Sequence, residues 1–513
     1  MRPLPVTSPP GRPKASRFVT GLAGCVGRPG ISSGWLPGLA TVPLLLLSIL
    51  VDSHADSTKL AYLPAVYLIG LLRLSVGFAI VAATHLALYR AQAWPDQTCK
   101  ALALHFTVGG LLAYPVFPSL GTVGFGALWL GHEAFCSIVW LLAQGLPGSF
   151  TLGELLTWAS LVTLTSLDLA LYSLGKCHWL TPNSPRLPDR PPLFVVIQTV
   201  VLFPLVLALV AGGMRRSLRR GPLVQRSFND AVSYLAACGV VGLATVIYLD
   251  HLLGRSCLIW LFEFVASSML YPAFVMFWGL CLVLSIAVLQ GMLWLPETYS
   301  RNAIARAQLG QKALRNLGRK YYHVLVVLMF TPALVYVPDL LALALAGGWC
   351  ILAVLELVRG LGLPPVAEWI DQFMRPFTDH HDAGAAILSH LYLLLGCAIP
   401  VWLHGRAPVS RLAGVLTLGI GDAVASVVGQ AVGRFRWPGN RSKTVEGSLA
   451  FTVSVAIPAV LCLALGRSPW TAGLVAYYVA ISAAAAVLEA LTDQNDNLFI
   501  PLAFCALINF GGL

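Results

Sequence analysis

Apolar and polar residues along this chain come in blocks. From about residue 38 to the C-terminus, apolar runs of roughly 18 residues or more recur, and short segments between them collect most of the charge. A helix of about 20 apolar residues crosses the roughly 30 Å hydrocarbon core of a bilayer. The pattern predicts an all-α, polytopic integral membrane protein with roughly 13–15 transmembrane helices. The expected spans include Leu60–Tyr89, Val195–Ala211, Ala231–Tyr248, Cys257–Pro296 (long enough for two), Val324–Val337, Leu340–Val358, Ala385–Leu403, Leu412–Gln430, Leu449–Leu465, Ala472–Ala490 and Leu498–Phe510. The period-two alternation of a membrane β-barrel is absent.

Three regions follow from this pattern. Residues 1–37 are rich in Pro and Gly and carry Arg2, Arg12, Lys14, Arg17 and Arg28, which predicts a disordered basic tail. The apolar run after it comes too late for a secretory signal and reads as a retained first span. Residues 38–300 form an N-terminal multispan region. Residues 301–513 form a C-terminal membrane domain in which ordered polar motifs accumulate.

Charge refines the picture. The formal net charge of +11 would raise the question of nucleic acid in a soluble protein. Here the cations lie in short loops, Met214–Arg226, Arg301–Lys320 and Arg434–Lys443, as the positive-inside rule describes, and no nucleic-acid partner is expected. The rule puts these loops in the cytosol. Span counting then brings four polar segments to one face: Arg319–His323 (RKYYH), Asp379–Asp382 (DHHD), Arg434–Gly447 (RFRWPGNRSKTVEG) and Thr492–Asn497 (TDQNDN). Between Arg226 and Arg301 the pattern suggests three spans where the charge rule needs an even number. The eleven cysteines are scattered with no C-x-x-C pair, so neither a zinc site nor a disulfide framework is expected.

Ionisable residues in apolar helices cost about 2.5–3.5 kcal/mol at the bilayer centre. Arg73, Glu133, Glu154, Asp168 and Glu263 share no spacing in the N-terminal half, whereas the C-terminal third is ordered. Lys320 and His323 close RKYYH. Asp422 follows the Gly419–Gly421 pair, which lacks the strand–turn–helix setting of a dinucleotide fingerprint and suits close helix packing. The loop supplies Gly433, Arg434, Arg436, Trp437, Gly439, Arg441, Ser442, Lys443, Thr444, Glu446 and Gly447. Glu489 precedes Asp493, Asp496 and Asn497.

This set suits phosphoryl transfer at a membrane surface. Arg and Lys neutralise and orient a polyphosphate. Glycine backbone N–H groups and the N-terminus of the following helix favour an anion. Asp422, Asp493 and Asp496 are candidates to hold Mg²⁺ or another divalent cation, which accepts a few carboxylates plus phosphate oxygens and water. Trp437 suits either stacking on a base or the lipid headgroup level. No Walker A sequence and no protein-kinase motif is present.

The ordered motifs RKYYH, HLYLLLGCAIPVWL (His390–Leu403), GDAVAS (Gly421–Ser426), GRFRWPGNRSKTVEGS and LEALTDQNDNLFIP closely resemble those of the dolichol kinases, eukaryotic members of the wider group of CTP-dependent polyprenol, phytol and diacylglycerol kinases. The resemblance covers about residues 319–501. It implies transfer of the γ-phosphate of CTP to dolichol or a related polyprenol. It also implies a multi-pass location in the endoplasmic reticulum membrane, a site facing the cytosol, and a product used in N-glycosylation, mannosylation and GPI-anchor synthesis. The family's CTP segment maps onto about Ala431–Glu446, with Lys443, Arg441 and Arg434 or Arg436 clamping phosphates and Asp422 and Asp496 holding the metal or orienting the hydroxyl. Family members often carry two adjacent lysines where this chain has Ser442-Lys443. Other classes in view are a kinase of another lipid alcohol, a phosphatidate cytidylyltransferase and a lipid transporter or scramblase. An oligomer is compatible with the sequence.

The chain's only N-x-S/T acceptor is Asn440-Arg441-Ser442. With the loop in the cytosol, Asn440 stays unmodified when the protein is made in endoplasmic reticulum membranes; an endoglycosidase-sensitive mass shift lost in Asn440→Gln would reverse the topology.

Overall fold

The computed structural model describes residues 35–55, 71–83 apart from 73 and 81, 121–176, 189–218, 223–294, 321–363, 366–374, 378, 382, 384–403, 407–438, 440–465, 471–492 and 494–511. Most of the expected basic tail, most of the Leu60–Tyr89 span, Arg73, Lys320, Gly439 and Asp493 lie outside the described residues, as does the side chain of Arg441. The chain divides into two compact units: Met1–Pro43 with Val66–Arg186, and Leu44–Ala65 with Leu187–Leu513. The helices are α1 (Trp35–Ala55), α2 (Gly121–Gly145), α3 (Leu152–Lys176), α4 (Pro192–Leu218), α5 (Leu223–Leu253), α6 (Cys257–Ala266), α7 (Leu270–Trp294), α8 (Tyr321–Tyr336), α9 (Pro338–Leu361), α10 (Val366–Met374), α11 (Ser389–Leu403), α12 (Ala423–Val432), α13 (Val445–Leu465), α14 (Ala472–Leu491) and α15 (Asp496–Phe510). A single turn (Pro408–Arg411) and a π-helical segment (Val415–Asp422) lie between α11 and α12, and a two-stranded hairpin of β1 (Arg436–Trp437) and β2 (Asn440–Thr444) precedes α13.

The protein is an all-α polytopic membrane protein. Among the described residues, eight helices are long and apolar enough to cross a bilayer, and five shorter apolar helices accompany them. The expected spans Val324–Val337, Ala385–Leu403 and Leu498–Phe510 appear as shorter helices, α8, α11 and α15. The expectation of three spans between Arg226 and Arg301 is corrected. At ten residues, α6 extends only about 15 Å, half the hydrocarbon thickness. Two full helices, α5 and α7, remain, which is the even number that the charge asymmetry requires.

In the first unit, α2 and α3 pack on each other. Glu154, costly in isolation, belongs to a capping box at the start of α3: its backbone N–H donates to Thr151 Oγ1 (3.2 Å), and its carboxylate accepts the Thr151 N–H (3.0 Å).

In the second unit, α4 packs against α5 and α9, α11 against α9 and α15, and α13 against α12 and α14. Three indoles tie helices together: Trp278 Nε1 donates to the Met329 carbonyl (3.0 Å), Trp349 to Val201 (3.0 Å) and Trp402 to Ala342 (2.9 Å). Each bond satisfies a donor that lipid would leave unmet. Such interhelical bonds contribute about 0.6–2 kcal/mol each.

Contacts in this unit gather the polar ends of several helices at one end. The rings of Tyr322 and His390 meet edge to face at 6.0 Å, joining the start of α8 to the start of α11. At the same end, Glu356 near the C-terminus of α9 accepts the Ile387 N–H (2.8 Å). Asp382 accepts the backbone N–H groups of Leu388 and Ser389 and the Ser389 hydroxyl, capping α11. Glycines let the helices close up here. A Cβ at Gly396 of α11 would run into the Asn497 carbonyl of α15, and one at Gly419 would meet Val327 of α8 at 2.6 Å.

The packing predicts a contrast between two glycines. Gly419→Val forces α8 and the π segment apart and costs about 1–3 kcal/mol. Gly347→Ala, where no atom lies within 4 Å of the new Cβ, is neutral or slightly stabilising. Thermal unfolding in detergent checks both; equal melting temperatures for Gly419→Val and wild type would contradict the close approach.

Candidate active site

The site is built from four pieces of chain, each with a local reason for its shape. The first is the π segment, whose wider register ends at Asp422 and runs on without interruption into α12. Ala423 N–H donates back to the Ile420 carbonyl, and the Leu418 carbonyl accepts from His323 Nδ1 at 2.6 Å. A carbonyl can only accept, so Nδ1 carries the proton and Nε2 is turned to Asp422 Oδ2 at 3.4 Å. With Nδ1 donating to the carbonyl, Nε2 donates to the Asp422 carboxylate only in the doubly protonated ring.

The second piece is the hairpin, a refinement of the expected polar loop. Arg436 pairs with Thr444 and Trp437 with Asn440 around the Pro438 turn. Three latches hold it. Glu446 accepts the backbone N–H groups of Arg434 (2.8 Å) and Phe435 (3.1 Å) at its base. Trp437 Nε1 donates to Ser448 Oγ (3.0 Å), so the indole is half-buried against α13. Asn440 Nδ2 donates to the Ala490 carbonyl at the end of α14 (3.0 Å). Thr444 caps α13, its Oγ1 accepting the Gly447 N–H (3.1 Å). Gly433 and Gly447 pack around that hydroxyl.

Because side chains alternate along a strand, the latches send Lys443 to one face and Ser442 to the other. Ser442 is exposed and donates to Asn440 Oδ1 (2.6 Å). Arg434 and Arg436 are exposed on the hairpin, and Arg436 Nη1 reaches the Ser442 carbonyl (3.4 Å).

The third and fourth pieces are the end of α14 and the start of α15. Glu489 lies in the last turn of α14 and is buried, 4% exposed. Asn495 caps α15 by accepting the Asn497 N–H (3.1 Å), which leaves Asp496 as the first helical residue, where the helix dipole favours an anion. Asn497 is buried behind it.

Oxygens of Asp422, Glu489 and Asp496 all lie within 4.8 Å of one another. Lys443 Nζ is inserted among them, bonded to Glu489 and 4.0 Å from Asp496 Oδ2. Burial opposes the Lys443 charge, but the carboxylates of Asp496, Glu489 and Asp422 outweigh it and hold its pKa above the ordinary lysine value.

The donor set fits a hard divalent cation. Octahedral Mg²⁺ at about 2.1 Å from each oxygen separates its ligands by roughly 3–4 Å, so three oxygens within 4.8 Å need only a small closure. Of the residues expected from sequence, Asp422, Asp496, Lys443 and His323 meet here, and Glu446 braces the hairpin base. Glu489 is the residue that sequence reasoning set beside the carboxylate set. Its signal was a lone Glu at the end of an apolar helix, immediately before TDQNDN.

A labelling experiment tests the Lys443 environment. Acylating reagents attack only the neutral amine, so a raised pKa keeps Lys443 charged and slow to react at pH 9. Glu489→Gln removes one stabilising anion, lowers the lysine pKa and increases its acylation rate severalfold, read by mass spectrometry of the Lys443 peptide; an unchanged rate would contradict the pairing.

No protein-family model matches the chain, and no solved structure does. Among curated proteins, it is similar to dolichol kinase EVAN of Arabidopsis thaliana, 30% identical over 530 residues, which cover 94% of this chain and 88% of that one. It is 27% identical to the dolichol kinase of Homo sapiens over 94% of this chain and 86% of its counterpart. It is 30% identical to the dolichol kinase of Schizosaccharomyces pombe over 60% of each.

Proposed function

The chain belongs to the dolichol kinase family, and from that premise we propose that it transfers the γ-phosphate of CTP to the hydroxyl of dolichol, giving dolichyl phosphate and CDP. The observation that carries this reading is the convergence of Lys443 with Asp422, Glu489 and Asp496 in a membrane protein. CTP as donor, the endoplasmic reticulum location, the cytosolic face of the site and the use of the product in protein glycosylation rest on the family resemblance. Residues 301–513 are the proposed catalytic region.

In this reading Asp422, Glu489 and Asp496 would hold Mg²⁺, which would supply neutralising charge for phosphate oxygens in an in-line displacement. His323, when both its ring nitrogens are protonated, would pair with the Asp422 carboxylate. Lys443, on the inward face of β2, exchanges its carboxylate partners for the triphosphate as that anion arrives; Arg434 and Arg436 add charge from the same hairpin. The dipole of α13 adds positive potential at the same end of the hairpin. The dolichol oxygen attacks the γ-phosphorus, the bond to the β-bridging oxygen breaks, and CDP leaves. An alcohol's proton is lost late, as charge develops, and a carboxylate of the triad accepts it. The isoprenoid chain stays in lipid, which accounts for a membrane-embedded enzyme performing a simple phosphoryl transfer.

Membranes containing the protein, given γ-labelled CTP and dolichol, form labelled dolichyl phosphate, and γ-labelled ATP does not substitute. Lys443→Ala lowers the rate about 10²–10³-fold, the scale for losing one preorganised charge contact, with protein level unchanged. Label retained at full rate in Lys443→Ala would refute the clamp. Transfer of a cytidylyl group from α-labelled CTP with release of pyrophosphate would make the protein a cytidylyltransferase instead.

A further inference from the structure

Helix α10, Val366–Met374, has no part in the site, yet its residues are sorted around the axis in an unusual way. At about 100° per residue, its nine residues fall into three sectors and not the two of an ordinary surface helix, with half-buried Met374 between the first and the second. Val366, Trp369 and Phe373 form one sector, exposed by 41, 66 and 47%, with Ile370 half-buried at its margin. Ala367 and Asp371 form the second and face protein: Ala367 is buried, and Asp371 lies 3.6 Å from Arg359 of α9. Glu368 and Gln372, both exposed and polar, form the third.

A helix in water beside a protein needs two sectors, one apolar and packed, one polar and wet. A third sector that is large, aromatic and exposed requires a third medium. A helix lying in the plane of a membrane boundary, alongside a bundle, meets protein, water and acyl chains in this circular order.

The connections on either side agree. Gly362 takes the left-handed conformation (φ 66°) at the end of α9, so the chain turns sharply out of the span direction. The next residue, Leu363, anchors the turn in a core with Leu207, Ala211, Tyr234 and Val241. Exposed Ile351, Leu352 and Leu355 give α9 an apolar outer surface, and the α10 stripe follows it at the end of the span. Arg359 binds Glu356, Asp371 and the Ala385 carbonyl, holding α10 against the segment that leads into α11.

We propose that α10 is an in-plane membrane anchor whose Val366–Trp369–Phe373 stripe is seated in the headgroup–acyl boundary of the bilayer that the helices span. It marks the boundary at the end of the bundle where α8 and α11 begin and where the acidic triad lies. Trp at such a boundary is favoured because its ring is apolar and its N–H remains wet. This inference does not depend on the reaction proposed above.

The test is photo-crosslinking of the full chain in phosphatidylcholine nanodiscs, with benzoylphenylalanine placed singly at positions 366, 368, 369, 372 and 373. These positions are exposed, so folding is preserved, and monodisperse elution in size exclusion verifies it. Lipid adducts by mass spectrometry at 366, 369 and 373, at least fivefold above 368 and 372, are expected. Equal yields at all five positions, or no lipid adduct at 369 and 373, would overturn the anchor. Adducts at 369 to a peptide of a second copy would also overturn it and make the stripe a subunit interface.

Discussion

Three carboxylates within 4.8 Å of one another place a heavy constraint on this protein. At an effective dielectric of about 20, each pair at that separation repels by on the order of 3 kcal/mol, and Glu489 is nearly fully buried. Besides a shared proton, positive charge among the carboxylates relieves the arrangement. Lys443 supplies it, and the hairpin latches, the cap at Thr444 and the close approach of α12 to α13 all serve to deliver that one ammonium. In the proposed reaction, a cation held by the carboxylates would relieve this repulsion and free Lys443 for the phosphates of the donor.

The membrane setting explains how such a cluster is supported. Helix interiors in lipid satisfy their own backbone, so polar chemistry gathers where helices begin, end or break. Asp422 closes the π segment, where the helical register changes within one span, Glu489 sits at the end of α14 and Asp496 at the start of α15. Close packing at Gly396 and Gly419 helps to bring these ends together. Helix termini also carry the partial charges that phosphate and metal chemistry use.

Much of this was legible in the sequence, for physical reasons that vary by element. Long apolar runs announce spans because hydrocarbon tolerates little else, and counting them puts RKYYH, DHHD, RFRWPGNRSKTVEG and TDQNDN on one face. Depth and partnership were not legible. The Cys257–Pro296 run is apolar enough for two spans, but α6 is too short for one, and apolarity alone does not report a break at Ser267. The hairpin was hidden in a charged loop, although Arg-Phe-Arg-Trp before Pro438-Gly439 and alternation in Asn440–Thr444 are hairpin signals. That alternation also settles where Ser442 points: away from the triad, against Asn440, so a lysine there would not enter the acidic cluster. Glu489 reads in sequence as a helix-end residue, and only packing shows it as the buried partner of Lys443. Similarity to curated dolichol kinases covers 94% of the chain, well beyond the C-terminal motifs that first suggested it.

The central claim is that Asp422, Glu489 and Asp496 form one cation site whose charge is balanced by Lys443. Its most direct test is Mn²⁺ titration of the purified protein in nanodiscs, followed by electron paramagnetic resonance. One Mn²⁺ per chain, competed by Mg²⁺, is expected, with affinity at least tenfold weaker in Asp422→Asn, Glu489→Gln and Asp496→Asn and tighter in Lys443→Ala. Unchanged binding in the three carboxylate variants, or weaker binding in Lys443→Ala, would contradict it.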